Sequence, residues 1–275
     1  MELDLADRAY LVTGGSRGIG REVAAALAGA AVERLGRLDG VVDNAGRFGG
    51  GALEGLARET LEEGLATKVT GPLHLVQRAL PALRDSDRAA IVNVSGLTAQ
   101  RVTPGAAVTA IANTGVVALT AYLAHELMPA GVRVNGVIPG STRTGVWEER
   151  AAALARREGI SADAAMRAIL DRQGLGHARW GESAEIAAVV VWLLSAAASF
   201  VNGTSMRVDG GQLAVASAWP RREPPRSPLR GAPLPDVWHL ASEGSMPGAT
   251  RPRARAAAPA PSRAVRALTG SPIHV

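Results

Sequence analysis

The sequence predicts a doubly wound α/β domain built around a parallel sheet, and two observations lead to this fold class. Apolar segments of strand length alternate with longer helical segments from the start of the chain to about residue 216. A glycine-rich turn, Gly14 to Gly20, joins the first apolar segment to an alanine-rich helical segment. Strands that alternate with helices of this length form parallel sheets covered by helices on both faces.

The expected elements follow one another in a regular order. Short, mostly apolar runs bounded by turn residues predict strands, and longer runs with apolar residues three or four apart predict helices. The predicted strands are residues 8–13, 38–43, 90–94, 132–137 and 205–209. The predicted helices run from the glycine turn to about residue 35 and over residues 59–83, 110–127, 146–157, 161–173 and 184–195.

The chain after about residue 216 has a different composition. Eleven of the 16 prolines lie there, with nine arginines and three acidic residues, and no apolar periodicity remains. Segments of this composition do not bury enough apolar surface to fold. We therefore expect a folded domain over residues 1–216 and a disordered Pro/Arg/Ala-rich tail over residues 217–275. The tail accounts for the net charge of +5, so we do not expect a nucleic-acid partner.

Composition also excludes several classes of protein. The chain has no cysteine, which excludes a disulfide framework and a thiolate zinc site. Its five histidines are scattered without ligand spacing, so no metal site is expected. The acidic start lacks the basic region of a signal peptide, and the longest apolar run, residues 187–198, is too short to span a bilayer. We expect a cytoplasmic protein with no membrane partner.

Five separated motifs occur along the domain. They are Thr13-Gly14-x-x-x-Gly18-x-Gly20, Asp43-Asn44-Ala45-Gly46, Asn93-Val94-Ser95, Pro139-Gly140-x-x-x-Thr144 and Val208-Asp209-Gly210-Gly211. In this order they resemble motifs of the short-chain dehydrogenase/reductase family, and the resemblance covers nearly all of residues 5–215. It implies a Rossmann-type fold, NADP(H) or NAD(H) as cofactor, a small carbonyl or secondary alcohol as substrate, and a homo-oligomer.

The resemblance also implies which residues bind the cofactor. Glycines let the backbone approach a pyrophosphate closely, and the amides at the start of the following helix favour its negative charge. Arg17 lies where the family often carries a basic side chain for the 2′-phosphate of NADPH, although an ordinary exposed arginine is an equal alternative. The implied cofactor-binding residues are Gly14, Ser16, Arg17, Gly18, Ile19, Gly20, Asn44, Ala45, Gly46, Pro139, Gly140 and Thr144.

The chain departs from the family between the first two motifs. Only twenty-three residues separate Gly20 from Asn44, where the family has two further strands and a helix. The join lies near residues 29–31, so strands two and three of the family are expected to be missing. The first strand would then become a sheet edge, and the crevice would lose its adenine-side wall. We therefore expect cofactor binding to be weak or lost.

The catalytic positions depart from the family as well. There a tyrosine transfers the proton and a lysine four residues later lowers the pKa of that tyrosine, but this alignment places Thr109 and Asn113 at those positions. Gly96 stands at the position of the substrate-binding serine, with Ser95 beside it. An alcohol such as Thr109 is far more basic than a phenol when deprotonated, and Asn113 brings no charge. Ser95 and Thr109 are therefore only weak catalytic candidates.

Lys68 stands at the fourth position, where the family has an asparagine that anchors a proton relay. It is the only lysine in the chain. It is either a replacement for the missing cation or a solvated helix lysine, and the second interpretation is favoured.

Three hypotheses about function follow. The first is a redox enzyme of the family that acts on a carbonyl or secondary alcohol, with the helices of residues 146–173 as a substrate lid. The second is a catalytically dead scaffold or oligomerisation partner. The third is the product of a damaged reading frame, with the tail as a by-product of gene rearrangement.

Overall fold

The computed structural model of the chain describes residues 3–5, 8–15, 18–20, 22–23, 37–46, 50–51, 53–172 and 179–213. The predicted tail and the predicted join near residues 29–31 lie outside the described residues, as do Ser16 and Arg17. Of the first predicted helix, residues 18–20 and 22–23 are described, and they are helical.

The described strands are, in chain order, Tyr10–Val12 (β1), Gly40–Asp43 (β2), Ala90–Val94 (β3), Arg133–Pro139 (β4), Thr142–Arg143 (β5), Gly181–Glu182 (β6) and Ser205–Val208 (β7). Five of them form a parallel sheet in the order β1-β2-β3-β4-β7. The short strands β5 and β6 pair in a second parallel sheet. Among the described strands, β1 is therefore the edge of the main sheet, and the doubly wound α/β fold is confirmed.

The described helices are Arg58–Leu65 (α1), Gly71–Arg84 (α2), Ala107–Leu127 (α3), Gly145–Glu158 (α4), Ala162–Arg172 (α5) and Ser183–Leu194 (α6). The single helix predicted over residues 59–83 is divided in two, because a π-helical turn, Ala66–Thr70, lies between α1 and α2. Such wide turns are rare and often occur at functional sites.

Helices cover both faces of the sheet. Successive side chains of a strand point to opposite faces, so neighbouring residues of one strand are buried against different helices. On one face, Val41 and Ile91 are fully buried against α2 and α3. On the other face, Val42 and Val92 are buried against α6. Val23, from the start of the first helix, belongs to the cluster on the α6 face.

The segment Ala107–Ala130, which contains α3, is long and apolar enough to cross a membrane, with a mean hydropathy of 1.6, and half of its most apolar window is buried within the protein. A core helix of a soluble protein meets the same criteria of length and composition.

Helices α4 and α5 pack against each other in a separate small cluster. Trp147, Leu154 and Ile169 are buried there, and the Trp147 ring lies 5.3 Å from the Trp180 ring, centroid to centroid. These are the helices predicted to form a substrate lid, which stays a prediction.

A network of charged side chains secures the amino end of β2 to the edge strand. The Asp39 carboxylate accepts hydrogen bonds from the Ala9 amide at 2.8 Å, from Arg8 Nη1 at 3.2 Å and from Arg37 Nε at 2.8 Å. Arg37 Nη2 and the Ser86 hydroxyl donate two more, at 2.5 Å and 2.7 Å. Burial opposes ionisation of Asp39, but these hydrogen bonds outweigh it and hold the pKa of the carboxyl below its ordinary value.

Candidate functional site

The carboxyl ends of the parallel strands bring the predicted motifs to one edge of the sheet, where folds of this class bind their ligands. The glycine turn follows β1, the Asn44-Ala45-Gly46 segment follows β2, and Ser95 follows β3. Gly140 follows β4 and leads to Thr144 at the start of α4.

The glycine turn packs directly on the segment after β2. Gly14 adopts φ +64°, a conformation that side chains rarely take. A Cβ atom on Gly20 would lie 2.4 Å from Asn44 Nδ2 and 2.4 Å from the Gly14 carbonyl oxygen. Asn44 Nδ2 also donates to the Gly14 carbonyl at 3.2 Å, and the Asn44 and Ala45 amides each donate to Thr13 Oγ1 at 3.0 Å. The first two motifs therefore form one interlocked unit.

The fourth motif faces the glycine turn. A Cβ atom on Gly18 would lie 3.4 Å from Thr144 Cγ2, so the start of the first helix and the Thr144 side chain are neighbours. The fifth motif supports this loop from behind, because the Gly140 amide donates to the Val208 carbonyl at 3.0 Å and the Ser141 amide donates to Gln212 Oε1 at 2.8 Å.

The described residues fit a dinucleotide in part. The helix that begins at Gly18 presents backbone amides at the turn, which suits a pyrophosphate. Asn44, Ala45, Gly46 and Thr144 lie around the same turn. The described sheet has no further strand beyond β1. A strand at that place would form a wall for an adenine ring.

The catalytic positions of the family hold a different, closely packed arrangement. Ser95 is buried, and its hydroxyl donates to the backbone carbonyl of Asn113 at 2.8 Å. The Asn113 amide is buried and donates to Thr98 Oγ1 at 2.8 Å. A Cβ atom on Gly96 would lie only 2.7 Å from Asn113 Nδ2. The side chain of Asn113 thus occupies space that any side chain at position 96 would need.

Thr109 is also buried, one helical turn before Asn113 in the first part of α3. Ser95 thus contacts Asn113, and Thr109 lies one helical turn away on the same helix; a catalytic role for Ser95 or Thr109 stays a prediction.

The interpretation of Lys68 as a solvated helix lysine is wrong. Lys68 lies in the π-helical turn, and its Nζ donates to the backbone carbonyl of Val94 at 2.9 Å. Burial lowers the pKa of the Lys68 amine to about 8, and the negative charge of Asp43 opposes this shift. The Lys68 side chain is half-buried, and its ammonium lies at the carboxyl end of β3 rather than in open solvent.

Asp43, the first residue of the second motif, is a second unusual group. It is 5% exposed, and neither carboxylate oxygen has a hydrogen-bond partner. Burial raises the pKa of its carboxyl to about 7, with the charge of Lys68 acting against the increase. The signal in the sequence was an acidic residue at the carboxyl end of a fully buried strand.

Asp43 and Lys68 border one narrow cavity. Its other lining residues are uncharged: Ala45, Pro72, Asn93, Val94, Val116 and Leu119. Asn93 donates to Thr120 Oγ1 at 3.0 Å, but its own side-chain oxygen, Oδ1, has no partner. Perturbed titratable groups beside a cavity are frequent at functional sites.

Comparison with known proteins agrees with this geometry. Residues 19–212 match a family model described as enoyl-(acyl carrier protein) reductase. An inactive 2-(S)-hydroxypropyl-CoM dehydrogenase from Xanthobacter autotrophicus is 35% identical over 195 residues, which are 70% of this chain and 80% of that protein.

Two solved structures have the same fold. The ligand-free aldohexose dehydrogenase of Thermoplasma acidophilum is 25% identical with a TM-score of 0.70, over 80% of this chain and 99% of the other. A candidate 2-deoxy-d-gluconate 3-dehydrogenase of Agrobacterium tumefaciens with bound NADP is 26% identical with a TM-score of 0.66, over 77% of this chain and 98% of the other. Sequence motifs, sheet topology and relatives thus agree, and the chain belongs to the short-chain dehydrogenase/reductase family of oxidoreductases.

Proposed function

We propose that this protein binds NAD(P)(H) at the carboxyl edge of its sheet but lacks the proton transfer with which its family converts carbonyl and alcohol substrates. One observation carries the proposal: the buried amide of Asn113 fills the space beside Gly96. The three positions that would need a free serine hydroxyl, a phenol and an ammonium hold Gly96, Thr109 and Asn113, which are neutral.

The residues that hold the cofactor in this proposal are the interlocked glycine turn, the Asn44-Ala45-Gly46 segment and Thr144. When bound, the nicotinamide would supply or accept a hydride. The backbone amides at Gly18 to Gly20 would donate to the pyrophosphate. Affinity is expected to be weak because β1 is the last described strand on that side. Arg17 would favour NADPH over NADH if it contacts the 2′-phosphate as the resemblance implies; an ordinary exposed arginine is the equal alternative.

The missing proton transfer has a physical basis. A phenol with an ordinary pKa near 10 can be adjusted toward neutrality, whereas the Thr109 alcohol cannot. Positioned acid–base catalysis contributes about 10²–10⁴-fold to rates, so its loss leaves at most slow turnover. The relative from Xanthobacter autotrophicus, whose name describes it as inactive, supports this interpretation.

The test is a titration of the purified protein with NADPH and NADH, followed by nicotinamide fluorescence and by thermal stability. A ligand that binds only the folded state raises the unfolding temperature with concentration. Saturable binding together with no reduction of carbonyl substrates is the expected result. No binding at millimolar cofactor contradicts the first half of the proposal, and family-like turnover contradicts the second.

A restoration experiment tests the same idea in the other direction. The triple variant Gly96→Ser/Thr109→Tyr/Asn113→Lys returns the family residues and removes the amide that crowds position 96. If the cofactor binds, we expect turnover of a small ketone to rise by about 100-fold or more. The matched control is Thr109→Tyr alone, which we expect to remain inactive because it lacks the cation.

A second function, that of an oligomerisation partner, has its own support. The exposed side of α3 carries large apolar residues, with Ile111 48% and Tyr122 57% exposed, beside the polar residues Thr114, His125 and Glu126. Exposed apolar surface rimmed by polar residues often marks a protein–protein contact. In this reading a second copy of the chain covers α3. Light scattering of the wild type and of Ile111→Glu tests it: a dimer that becomes a monomer is expected, and a monomeric wild type contradicts it.

A further inference from the structure

Lys68 connects two segments of the cofactor-binding edge. Its Nζ donates to the Val94 carbonyl, directly before Ser95. Its aliphatic part lies against the backbone at Gly46, since a Cβ atom there would be 2.7 Å from Lys68 Cε and 3.2 Å from Nζ. One side chain therefore contacts both the end of β3 and the segment that carries Asn44 and Ala45.

Asp43 is the charged group that acts on Lys68. Among the described residues, the elements packed around the pair contribute only uncharged side chains to the cavity: Asn93 and Val94 from β3, Pro72 from α2, and Val116 and Leu119 from α3. The Asp43 carboxylate has no hydrogen bond, so the two charges interact through space in a region with little water.

Both residues depart from the family pattern, and the two departures balance. Asp43 and Lys68 each stand where the family resemblance places an asparagine. A single buried charge without a partner is strongly destabilising, whereas two opposite charges compensate each other in part. The two residues are therefore best understood as one unit.

We propose that Lys68 is a positioning residue for the cofactor: its ammonium fixes the end of β3, its aliphatic part supports the Asn44-Ala45-Gly46 segment, and Asp43 keeps the ammonium charged. This inference rests on the proposed cofactor site.

Cofactor affinity then depends on pH in a defined direction. As the pH rises through about 8, Lys68 loses its proton, its hydrogen bond to Val94 weakens, and affinity falls. In Asp43→Asn the opposing charge is gone, so the same fall occurs at lower pH. In Lys68→Met affinity is about tenfold weaker at low pH and does not vary through this range. In Lys68→Arg the charge persists, and the fall near pH 8 disappears.

The chain offers a direct measurement because Lys68 is its only lysine. Protein labelled with ¹³C at lysine Cε gives one lysine signal, whose titration we expect near pH 8 in the unliganded protein. Asp43→Asn is expected to move that titration lower. A titration near the ordinary lysine value of about 10.4 overturns the expected fall in affinity near pH 8, and a titration unchanged in Asp43→Asn overturns the coupling between the two residues.

Measurements of NADPH affinity distinguish a failure of the positioning role from a failure of the proposed function. NADPH affinity is measured from pH 6 to 9 in the wild type and the three variants. A wild type that binds with an affinity independent of pH and equal to that of Lys68→Met overturns the positioning role alone. A wild type that does not bind overturns the proposed function, and the positioning role with it. A merely structural lysine would change affinity by the same factor at every pH.

Discussion

The two ends of β2 carry two buried aspartates in opposite situations. Asp39 is 2% exposed and accepts five hydrogen bonds, two from Arg37 and one each from Ala9, Arg8 and Ser86. Asp43 is 5% exposed and accepts none. The pKa of Asp39 lies below its ordinary value, and that of Asp43 is raised to about 7. The amino end of the strand is thus organised for stability, whereas the carboxyl end keeps groups whose charge changes near neutral pH, as functional edges do.

The largest expected effect comes from breaking the stabilised end. Asp39→Asn leaves Arg8, whose side chain is 12% exposed, without its buried carboxylate. Removing one partner of a buried pair costs about 3–5 kcal/mol of unfolding free energy, measured by urea denaturation at pH 7. Asp87→Asn is the matched control, since Asp87 is 62% exposed and also pairs with Arg8. If both variants lost the same unfolding free energy, the buried Asp39 carboxylate would stabilise the fold no more than the exposed Asp87 carboxylate, which contradicts the prediction.

The pH dependence of stability sharpens the contrast. The folded-state pKa of Asp43 is raised from 3.8 to about 7. The contribution of its protonated carboxyl to the free energy of unfolding is therefore fully present below pH 4 and is lost as the pH rises through 7. The loss is about 2–4 kcal/mol. Denaturation series from pH 4 to 8 are expected to show this decline in the wild type and not in Asp43→Asn. Asp39 acts in the opposite direction because its folded-state pKa is lowered. Its contribution to the free energy of unfolding is lost as the pH falls below the ordinary pKa of an aspartate.

A smaller effect is expected at the former catalytic position. Gly96→Ser places a Cβ atom 2.7 Å from Asn113 Nδ2, and overpacking of this kind costs about 1–3 kcal/mol. Asn113→Ala removes the obstacle, so the double variant should recover most of the loss. Additive losses in the urea series would show that Asn113 does not fill this space.

The smallest effect on stability, with a clear effect on binding, is expected at the glycine turn. Gly20→Ala forces Asn44 or the Gly14 carbonyl to move, because the added Cβ would lie 2.4 Å from each. We expect about 1–2 kcal/mol less stability and at least tenfold weaker NADPH affinity. Gly55→Ala is the control, since nothing lies within 4 Å of its added Cβ. Unchanged NADPH affinity in Gly20→Ala would show that the glycine turn does not bind the cofactor.

Much of this fold could be predicted from local pattern. The strand at residues 90–94 is observed with those limits, and β2, β4 and β7 lie within about two residues of prediction. Period-two and period-3.6 patterns identify buried faces, and most elements here have one. The π-helical turn could not be predicted, since residues 66–70 continue a helical pattern and differ only in hydrogen bonding.

The site was harder to predict than the fold. The motifs predicted cofactor-binding roles for the glycine turn, Asn44 and Thr144, and the structure has these residues next to one another; their roles stay a prediction. The burial of Lys68 and the isolation of Asp43 depend on how α1, α2 and β3 pack, which no single segment records. The same holds for Asn113 beside Gly96, residues seventeen positions apart whose contact exists only in three dimensions.

The edge position of β1 has a consequence for solubility. An exposed strand edge offers unpaired backbone groups to other chains and promotes edge-to-edge aggregation. Here the edge strand has only three residues, and it is tied at its start to Asp39 through the Ala9 amide. Among the described strands, so short an edge gives a second molecule few backbone groups with which to continue the sheet.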